Sequence, residues 1–466
     1  LVKLSWAQTA EKISRCRSVT ALPPIHNYFI MFFILSYRLM NVTKKRTLGE
    51  KSKSAKGAVS MPTDLTKARQ LFGTFSKIGA FTFGGGYAMI PLIQREVTER
   101  RRWLEDRDIL DIVAIAESTP GPIAINTATF VGYQVCGTLG AFCATLGVVL
   151  PSFLIILLVG AGLYFSIRTR FVQVRCFGEG MRRVFGNINL HGGKQQGGFS
   201  SFQALATAIA AQVGTGNIVG ACGAILIGGP GAIFWMWIAA FFGMATIFSE
   251  AVLAQLYRTR DAHGHLTGGP AYYISQGLGS KTLAAFFSVA IIIALGFVGN
   301  MVQANSIAGA FYTAFNVPTW VTGIFTFIIA GFIFIGGIRR IASFAEKMVP
   351  IMALIYVIGS LTIIFTNLEG VMHAFEMIFV GAFDPMAATG GVIGAGIKEA
   401  IRYGVARGLF SNEAGMGSTP HAHALAKVAK PQDQGVVAMV GVFIDTFVVL
   451  NMTALVILTS GVLGTA

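Results

Sequence analysis

Gln212-Val213-Gly214-Thr215-Gly216-Asn217 lies in the middle of an apolar segment, Phe202 to Ile227, and its reading decides the fold. Two glycines bracket a threonine and an asparagine follows, at the depth where a membrane-spanning helix would cross the bilayer midplane. Glycine lacks a Cβ and weakens helix there. A helix broken at that depth exposes N–H and C=O groups where no water can satisfy them. That is tolerated only where the backbone lines a cavity or binds something. Secondary transporters use such breaks to hold a substrate carboxylate and a coupling ion, so the stretch points to solute transport.

The rest of the chain agrees with a membrane setting. Charged residues make up 12% and hydrophobic residues 54%, against about 25% charged in an ordinary soluble domain. The mean hydropathy is +0.65. The 56 glycines suit close helix packing in lipid. The net charge of +15 does not indicate nucleic acid, because the basic residues sit in short clusters between apolar spans, the positive-inside pattern. Cys16, Cys136, Cys143, Cys176 and Cys222 show no CxxC or Cys/His metal spacing and read as packing residues, with no disulfide framework. His421 and His423 are i,i+2 neighbours and do not share a helix face. The sequence contains no nucleophile–base pair, Walker motif or metal cluster, so the expectation is a non-enzyme with no cofactor beyond a coupling ion.

Three regions follow from the pattern. Residues 1–60 read as a leader. Its apolar run Tyr28 to Leu35 is too short to span, and the basic stretch Lys44 to Lys56 reads as disordered. It lacks a clear cleavage site, so translation is expected to begin at Met61, or the leader to be foreign to the protein. Residues 61–157 form a first membrane module. In it, Phe81 to Tyr87 is glycine-rich and Arg95 to Arg107 is cationic. Pro120-Gly121-Pro122 breaks the apolar stretch Ile109 to Val135. Gly137 to Ile167 is long enough to cross once with tilt. Residues 158–466 form the second module, with apolar spans at 203–225, 231–256, 283–313, 318–338, 348–366, 405–426 and 435–460. If each crosses once, every basic loop falls on one side, which places Arg168 to Lys194 in the cytoplasm. The opposite loops at 226–230 and 314–317 carry no Lys or Arg, and 367–385 carries Glu369, Glu376 and Asp384. Lys398 to Arg407 is too charged for lipid contact and reads as a shoulder helix outside the bilayer or facing a cavity.

Two resemblances rest on these residues. FGGGYAMIPLIQREV (83–97), ESTPGPIAINTATFVGY (117–133) and GVVLPSF (147–153) resemble the amino-terminal half of the chromate ion transporter family, over about 65–157. VGTGNIVG (213–220), GGPGAIFWMWIAAFFGMAT (228–246), GGPAYYI (268–274), FVGNMVQANSIA (297–308) and RGLFSNEAGMGSTPHAHA (407–424) resemble the sodium:alanine (or glycine) symporter family, over about 158–466. The second resemblance implies an all-α polytopic membrane protein. Its bundle would hold two inverted five-helix repeats, the first helix of each being discontinuous. By that pattern the bundle is truncated, its last helices lying beyond Ala466, and a partial chromate-transporter-like module precedes it. The junction lies in apolar sequence, Ser152 to Phe165, with no linker, where natural domains usually join through polar segments. A fused or misassembled reading frame is the expectation.

A zwitterionic amino acid needs donors for its carboxylate and acceptors for its ammonium. The N–H groups of Thr215 and Gly216, at the start of the second half-helix, suit the carboxylate, aided by the helix dipole. The carbonyl near Val213 and the amide of Asn217 suit Na⁺. The plainer reading of this stretch is a packing motif of small residues. Ser411 to Ser418 is the second break, where Asn412, Gly415 and Ser418 are substrate or Na⁺ ligand candidates. Glu413 is an intramembrane carboxylate and so functional by default; the alternative is a structural partner for Arg407 or a backbone amide. The resemblance makes Gln303 a substrate contact, with an interhelical hydrogen bond as the other reading. Phe234, Trp235 and Trp237 read as interfacial anchors. Glu250 and Asp445, in apolar spans, read as satisfied buried carboxylates. In the first module Gly84, Gly85, Gly86, Pro120, Gly121, Pro122 and Asn126 offer backbone nests for an oxyanion, and Arg95 and Arg100 to Arg102 attract one or form a solvated loop.

The expectation is therefore Na⁺-coupled symport of alanine or glycine by a multi-pass protein of the plasma membrane (the inner membrane if bacterial). Its partners would be the amino acid, Na⁺ and the lipid bilayer, with no nucleic acid. Transport of chromate or sulfate by the first module is the second reading, and a non-functional fusion product is the third.

Overall fold

Long apolar runs bounded by glycine and proline become helices here, because in lipid only helix satisfies its own backbone. The computed structural model describes residues 64–81, 86–119, 122–186, 200–261, 264, 266–383 and 397–461. The leader expected over 1–60 lies outside them. The chain divides into two compact units, Leu1–Pro151 and Ser152–Ala466, just ahead of the 157/158 boundary expected from sequence.

The first unit contains α1 (Leu65–Phe81), α2 (Gly86–Gln94), α3 (Asp106–Ser118) and the start of α4 (Ile123–Arg168). Asp64 caps α1 through the N–H groups of Thr66 and Lys67 at 3.0 and 3.2 Å. Glu105 and Asp108 close a capping box on α3. Helix α4 is two arms folded at Cys136 and Gly137, where Gly137 takes φ 62°, an angle glycine adopts without steric cost. The arms lie close. Thr129 Oγ1 and Thr145 Oγ1 are 2.6 Å apart, and a Cβ on Gly132 would stand 2.3 Å from the Gly140 carbonyl oxygen. Leu71 and Phe75 of α1, Ile109 and Ile112 of α3, and Val131 of α4 form the core of this unit.

The second unit starts with the end of α4, then α5 (Val172–Arg175) and α6 (Phe177–Phe185). Next come α7 (Ser201–Gln212), α8 (Gly216–Gly228) and α9 (Ala232–Leu256). A short antiparallel hairpin, β1 (Thr259–Arg260) and β2 (Leu266–Thr267), leads to α10 (Pro270–Gly277). Helices α11 (Lys281–Phe315), α12 (Thr319–Phe334), α13 (Gly337–Thr366) and α14 (Leu368–Phe383) follow. The unit closes with α15 (Ile397–Asn412), α16 (Pro420–Ala424) and α17 (Pro431–Thr459). Among the described residues of the whole chain five helices are long and apolar enough to cross a membrane, or six if α7 and α8 count as one bent span. Large apolar side chains such as Phe286, Phe297, Phe315, Trp320, Phe327 and Phe365 stand exposed on α11, α12 and α13. A soluble surface rarely tolerates so wide an apolar patch; a lipid-facing one requires it. The protein is a multi-pass helical membrane protein.

Helix α9 is the hub. Its small residues Ala239, Ala240, Gly243, Ala245 and Ala251 are buried, and they let α15 and α17 approach closely. Gly404 and Gly408 of α15 meet it backbone to backbone: a Cβ on Gly404 would lie 2.3 Å from the Ala232 carbonyl oxygen. Gly404→Val is therefore expected to destabilise the bundle by about 1–3 kcal/mol or more, read as an earlier thermal transition in detergent. On α6, Arg183 pairs with Glu179 at 2.6 Å and with Asp433 at the start of α17 at 3.0 Å. The Arg183 guanidinium holds the Glu179 carboxyl below the usual carboxylate range, but so exposed a pair contributes little stability.

Several expectations are corrected. The span expected at 405–426 is α15, shifted back to start at Ile397, so the charged run Lys398 to Arg407 is most of a packed helix rather than a separate shoulder. It is tolerated because one face, at Ala400, Tyr403, Gly404 and Gly408, is buried against the bundle. The loop expected at 367–385 is mostly α14, which buries Ala374, Ile378 and Ala382. Its acids Glu369 and Glu376 lie on the exposed face, and Asp384 lies outside the described residues. Trp235 and Trp237 are not merely interfacial. Their indole N–H groups donate to the Ala382 carbonyl at 3.2 Å and Asn451 Oδ1 at 2.7 Å, and their rings pack with Phe234, Phe379 and Phe383.

Candidate functional site

Helix α7 is capped at its start by Ser200 and Gln203 and stops at Gln212. Helix α8 starts at Gly216, bent 49° away. Gly214 and Gly216 cause the stop, and Asn217 stabilises it. The Gly214 N–H donates to Asn217 Oδ1 at 3.0 Å, and the Asn217 N–H returns to the Gly214 carbonyl at 3.2 Å. The first turn of α8, Gly216–Gly220, has the wider i→i+5 hydrogen bonding that often marks functional positions in helices. As at any helix start, the N–H groups of its opening turn lack acceptors within the helix and carry the positive end of its dipole.

Asn217 also faces inward. Its Nδ2 donates to Asp445 Oδ1 at 2.7 Å and to the Asp445 carbonyl at 3.1 Å. Asp445 is fully buried in another i→i+5 stretch, Ile444–Leu450 of α17. Its second oxygen accepts from Ser411 Oγ at 3.1 Å and Thr446 Oγ1 at 2.9 Å. All three side-chain partners are neutral, and among the described residues no ion pair involves Asp445. A buried charge with no counter-charge is costly, so this carboxyl either carries a proton or has a cation beside it.

The end of α15 forms the other wall. A Cβ on Gly216 would lie 3.0 Å from Ser411 Cα, so the two broken segments touch where each loses its helix. Asn412 is fully buried: its carbonyl accepts from Gln212 Nε2 at 2.9 Å, its Oδ1 accepts from the Ala414 N–H at 3.1 Å, and its Nδ2 reaches Thr446 Oγ1 at 3.5 Å. Gln303 on α11 arrives from a third side, its amide oxygen 3.3 Å from where a Cβ on Gly214 would stand. The structure thus brings Gly216, Asn217, Gln303 and Asn412 together, with Thr215 at the break itself. Val213 turns its side chain into a core with Leu205, Val440 and Ile444.

Other expected residues are placed differently. Glu413 accepts from the Ser418 hydroxyl, so these two satisfy each other across the second break. The Gly415 N–H donates to Glu250 Oε2 at 3.1 Å and is not free for a substrate carboxylate. In the first unit, Asn126 is buried and spends both amide hydrogens on the carbonyls of Ala116 and Thr119, at 3.3 and 3.2 Å. That caps α3 and leaves Asn126 only an oxygen, which has the wrong polarity for an oxyanion. Gly86 opens α2 and Pro122 precedes α4, while Gly84, Gly85, Pro120 and Gly121 lie outside the described residues. Asp445 and Glu250 are hydrogen-bonded, as expected of satisfied buried carboxylates. The contacts of Gln212 and Thr446 with Asn412 were not legible in the sequence.

The model of the sodium:alanine symporter family matches residues 139–466. The chain belongs to that family. A chromate transporter family model also matches residues 69–188, so the two overlap across the division between the units. An uncharacterised transporter of Haemophilus influenzae is 46% identical to this sodium:alanine symporter family member over 309 residues, 66% of this chain and 67% of its own. The amino-acid carrier protein AlsT of Bacillus subtilis is 43% identical over 308 residues, 66% and 64% of the two chains. The sodium/alanine symporter AgcS of Methanococcus maripaludis is 42% identical over 313 residues, 66% and 68%. The chain spans about two thirds of the length of these relatives.

Proposed function

We propose that the second unit carries out Na⁺-coupled symport of a small neutral amino acid, alanine or glycine. The observation that carries this reading is the buried Asp445 carboxylate, held by neutral donors beside an open helix start. Asp445 supplies a fixed negative charge for Na⁺, and Ser411, Thr446 and the Val213 carbonyl are oxygen donors at hand. The N–H groups at Thr215 and Gly216 receive the substrate carboxylate, next to the ion that neutralises it. Gln303 and Asn412 supply polar side chains around the amino acid, and the ammonium lies towards the second break, where the Glu413 carboxylate has lone pairs beyond the one that accepts from Ser418. The breaks at 213–215 and 413–419 then occupy matching places in two inverted repeats. Family membership and the names borne by AgcS and AlsT support the same reading.

The test is uptake of radiolabelled alanine by proteoliposomes under an imposed Na⁺ gradient, with glycine as competitor. Uptake that collapses when K⁺ replaces Na⁺ is the expected result; none above empty vesicles under either condition sinks the proposal. Oxyanion transport by the first unit is a second reading, favoured by the family match over 69–188. Chromate accumulation blocked by sulfate is its test.

A further inference from the structure

The loop that joins α15 to α16 is folded around an anion that the chain itself supplies. Glu413, Gly415 and Gly417 all take left-handed backbone angles, with φ of 55°, 87° and 78°. Left-handed residues at alternate positions turn neighbouring N–H groups towards one side and make an anion-binding concavity. Two of the three are glycine, for which these angles carry no Cβ penalty. The occupant is Glu250 of α9. The Gly415 N–H donates to its Oε2 at 3.1 Å, and the Gly417 N–H lies within electrostatic reach of the same carboxylate. Tyr273 of α10 stands close enough to interact with its charge. Among the described residues no ion pair involves Glu250. An apolar residue at 250 would leave the Gly415 N–H without this acceptor, which a protein interior seldom tolerates.

The same loop continues directly from the wall of the transport site. Asn412 Oδ1 accepts from the Ala414 N–H at 3.1 Å. A Cβ on Gly243 of α9 would lie 3.0 Å from Ala414 Cβ and 3.7 Å from Asn412 Oδ1. Whatever fixes Gly415 on α9 therefore fixes the last turn of α15, which holds Ser411 and Asn412. We propose that Glu250 is a positioning residue of the transport site. By accepting from the Gly415 N–H it sets Ser411 and Asn412 against Asp445 and Gly216. The inference rests on the symport reading for its functional half and on hydrogen bonding alone for its structural half.

Two readouts on the full chain separate those halves. Hydrogen–deuterium exchange over 413–418 reports the anchoring without reference to transport. Half-saturation of uptake for alanine and for Na⁺ reports the positioning. In Glu250→Ala the loop amides are expected to exchange about tenfold faster and both half-saturation values to rise by a similar factor, the worth of roughly one lost charged hydrogen bond. Glu250→Gln keeps a carbonyl acceptor without the charge, and should recover most of the protection and most of the affinity. Unchanged exchange in Glu250→Ala overturns the anchoring. Faster exchange with wild-type half-saturation overturns the positioning. A glutamine variant indistinguishable from alanine on both readouts also overturns the proposal, because acceptance would then not be what matters. If the alanine variant does not fold, wild-type-like exchange in Glu250→Gln together with its loss in Glu250→Asp, whose carboxylate is a methylene shorter, supports the anchor, and equal exchange in the two overturns it. Altered exchange in a protein whose wild type takes up no alanine upholds the anchor and rejects the symport reading.

Discussion

Asp445→Asn is expected to raise the Na⁺ concentration for half-maximal alanine uptake by roughly 10- to 150-fold, the equivalent of about 1.5–3 kcal/mol for an interaction with a charged group. The substitution is close to isosteric. Its amide oxygen still accepts from Asn217 Nδ2, which lies 2.7 Å from the native carboxylate. Its amide hydrogens meet the hydroxyls of Ser411 and Thr446, now 3.1 and 2.9 Å away, and a hydroxyl can turn to accept as well as donate. Packing and hydrogen bonding therefore survive while the fixed charge is lost. The thermal transition in detergent should stay near the native value or rise, since the cost of burying a charge is removed. A variant with native Na⁺ dependence would remove Asp445 from the ion site.

Gly216→Val should abolish uptake, by at least about 100-fold, the scale on which a displacement near 1 Å disables a positioned site. The reason is steric. A Cβ at this position already stands 3.0 Å from Ser411 Cα and 3.5 Å from Ser411 Cβ, so a branched side chain must push α8 away from α15. The pair of walls then separates where Asp445, Ser411 and Asn217 meet. Gly216→Ala needs only a shift of a few tenths of an ångström and should keep measurable uptake. The graded series is the check. A valine variant present in the membrane at native levels and as active as alanine's would show that the two breaks need not touch.

The sequence made the membrane character and the break legible because both depend on local chemistry. Gly214 and Gly216 weaken helix wherever they occur, and Asn217 has the reach to cap the gap three residues back. Asn412 and Gln303 were likewise readable as polar groups in apolar runs. Asp445 is legible as a buried carboxylate, but its partners Asn217 and Ser411 approach only after helices distant in sequence have packed. The same holds for Glu250, whose partner Gly415 sits 165 residues along the chain. Helix α14 was read as a loop because Glu369 and Glu376 interrupt its hydropathy, whereas its buried stripe of Ala374, Ile378 and Ala382 shows only when neighbouring helices are in place. The tryptophans at 235 and 237 follow the same rule. Their indole acceptors, Ala382 and Asn451, are brought up only when the distant helices pack.

The Asn217 side chain carries two bonds of very different reach. One end closes on Gly214, three residues away, and the other on Asp445, 228 residues further along the chain. During synthesis these cannot form together. At ribosomal rates of about 5–20 residues per second, roughly 10–45 s pass between the emergence of the two partners. Of the two, only the bond to Gly214 can form before α17 has been made. The bend is therefore specified locally, and its attachment to the rest of the bundle comes last.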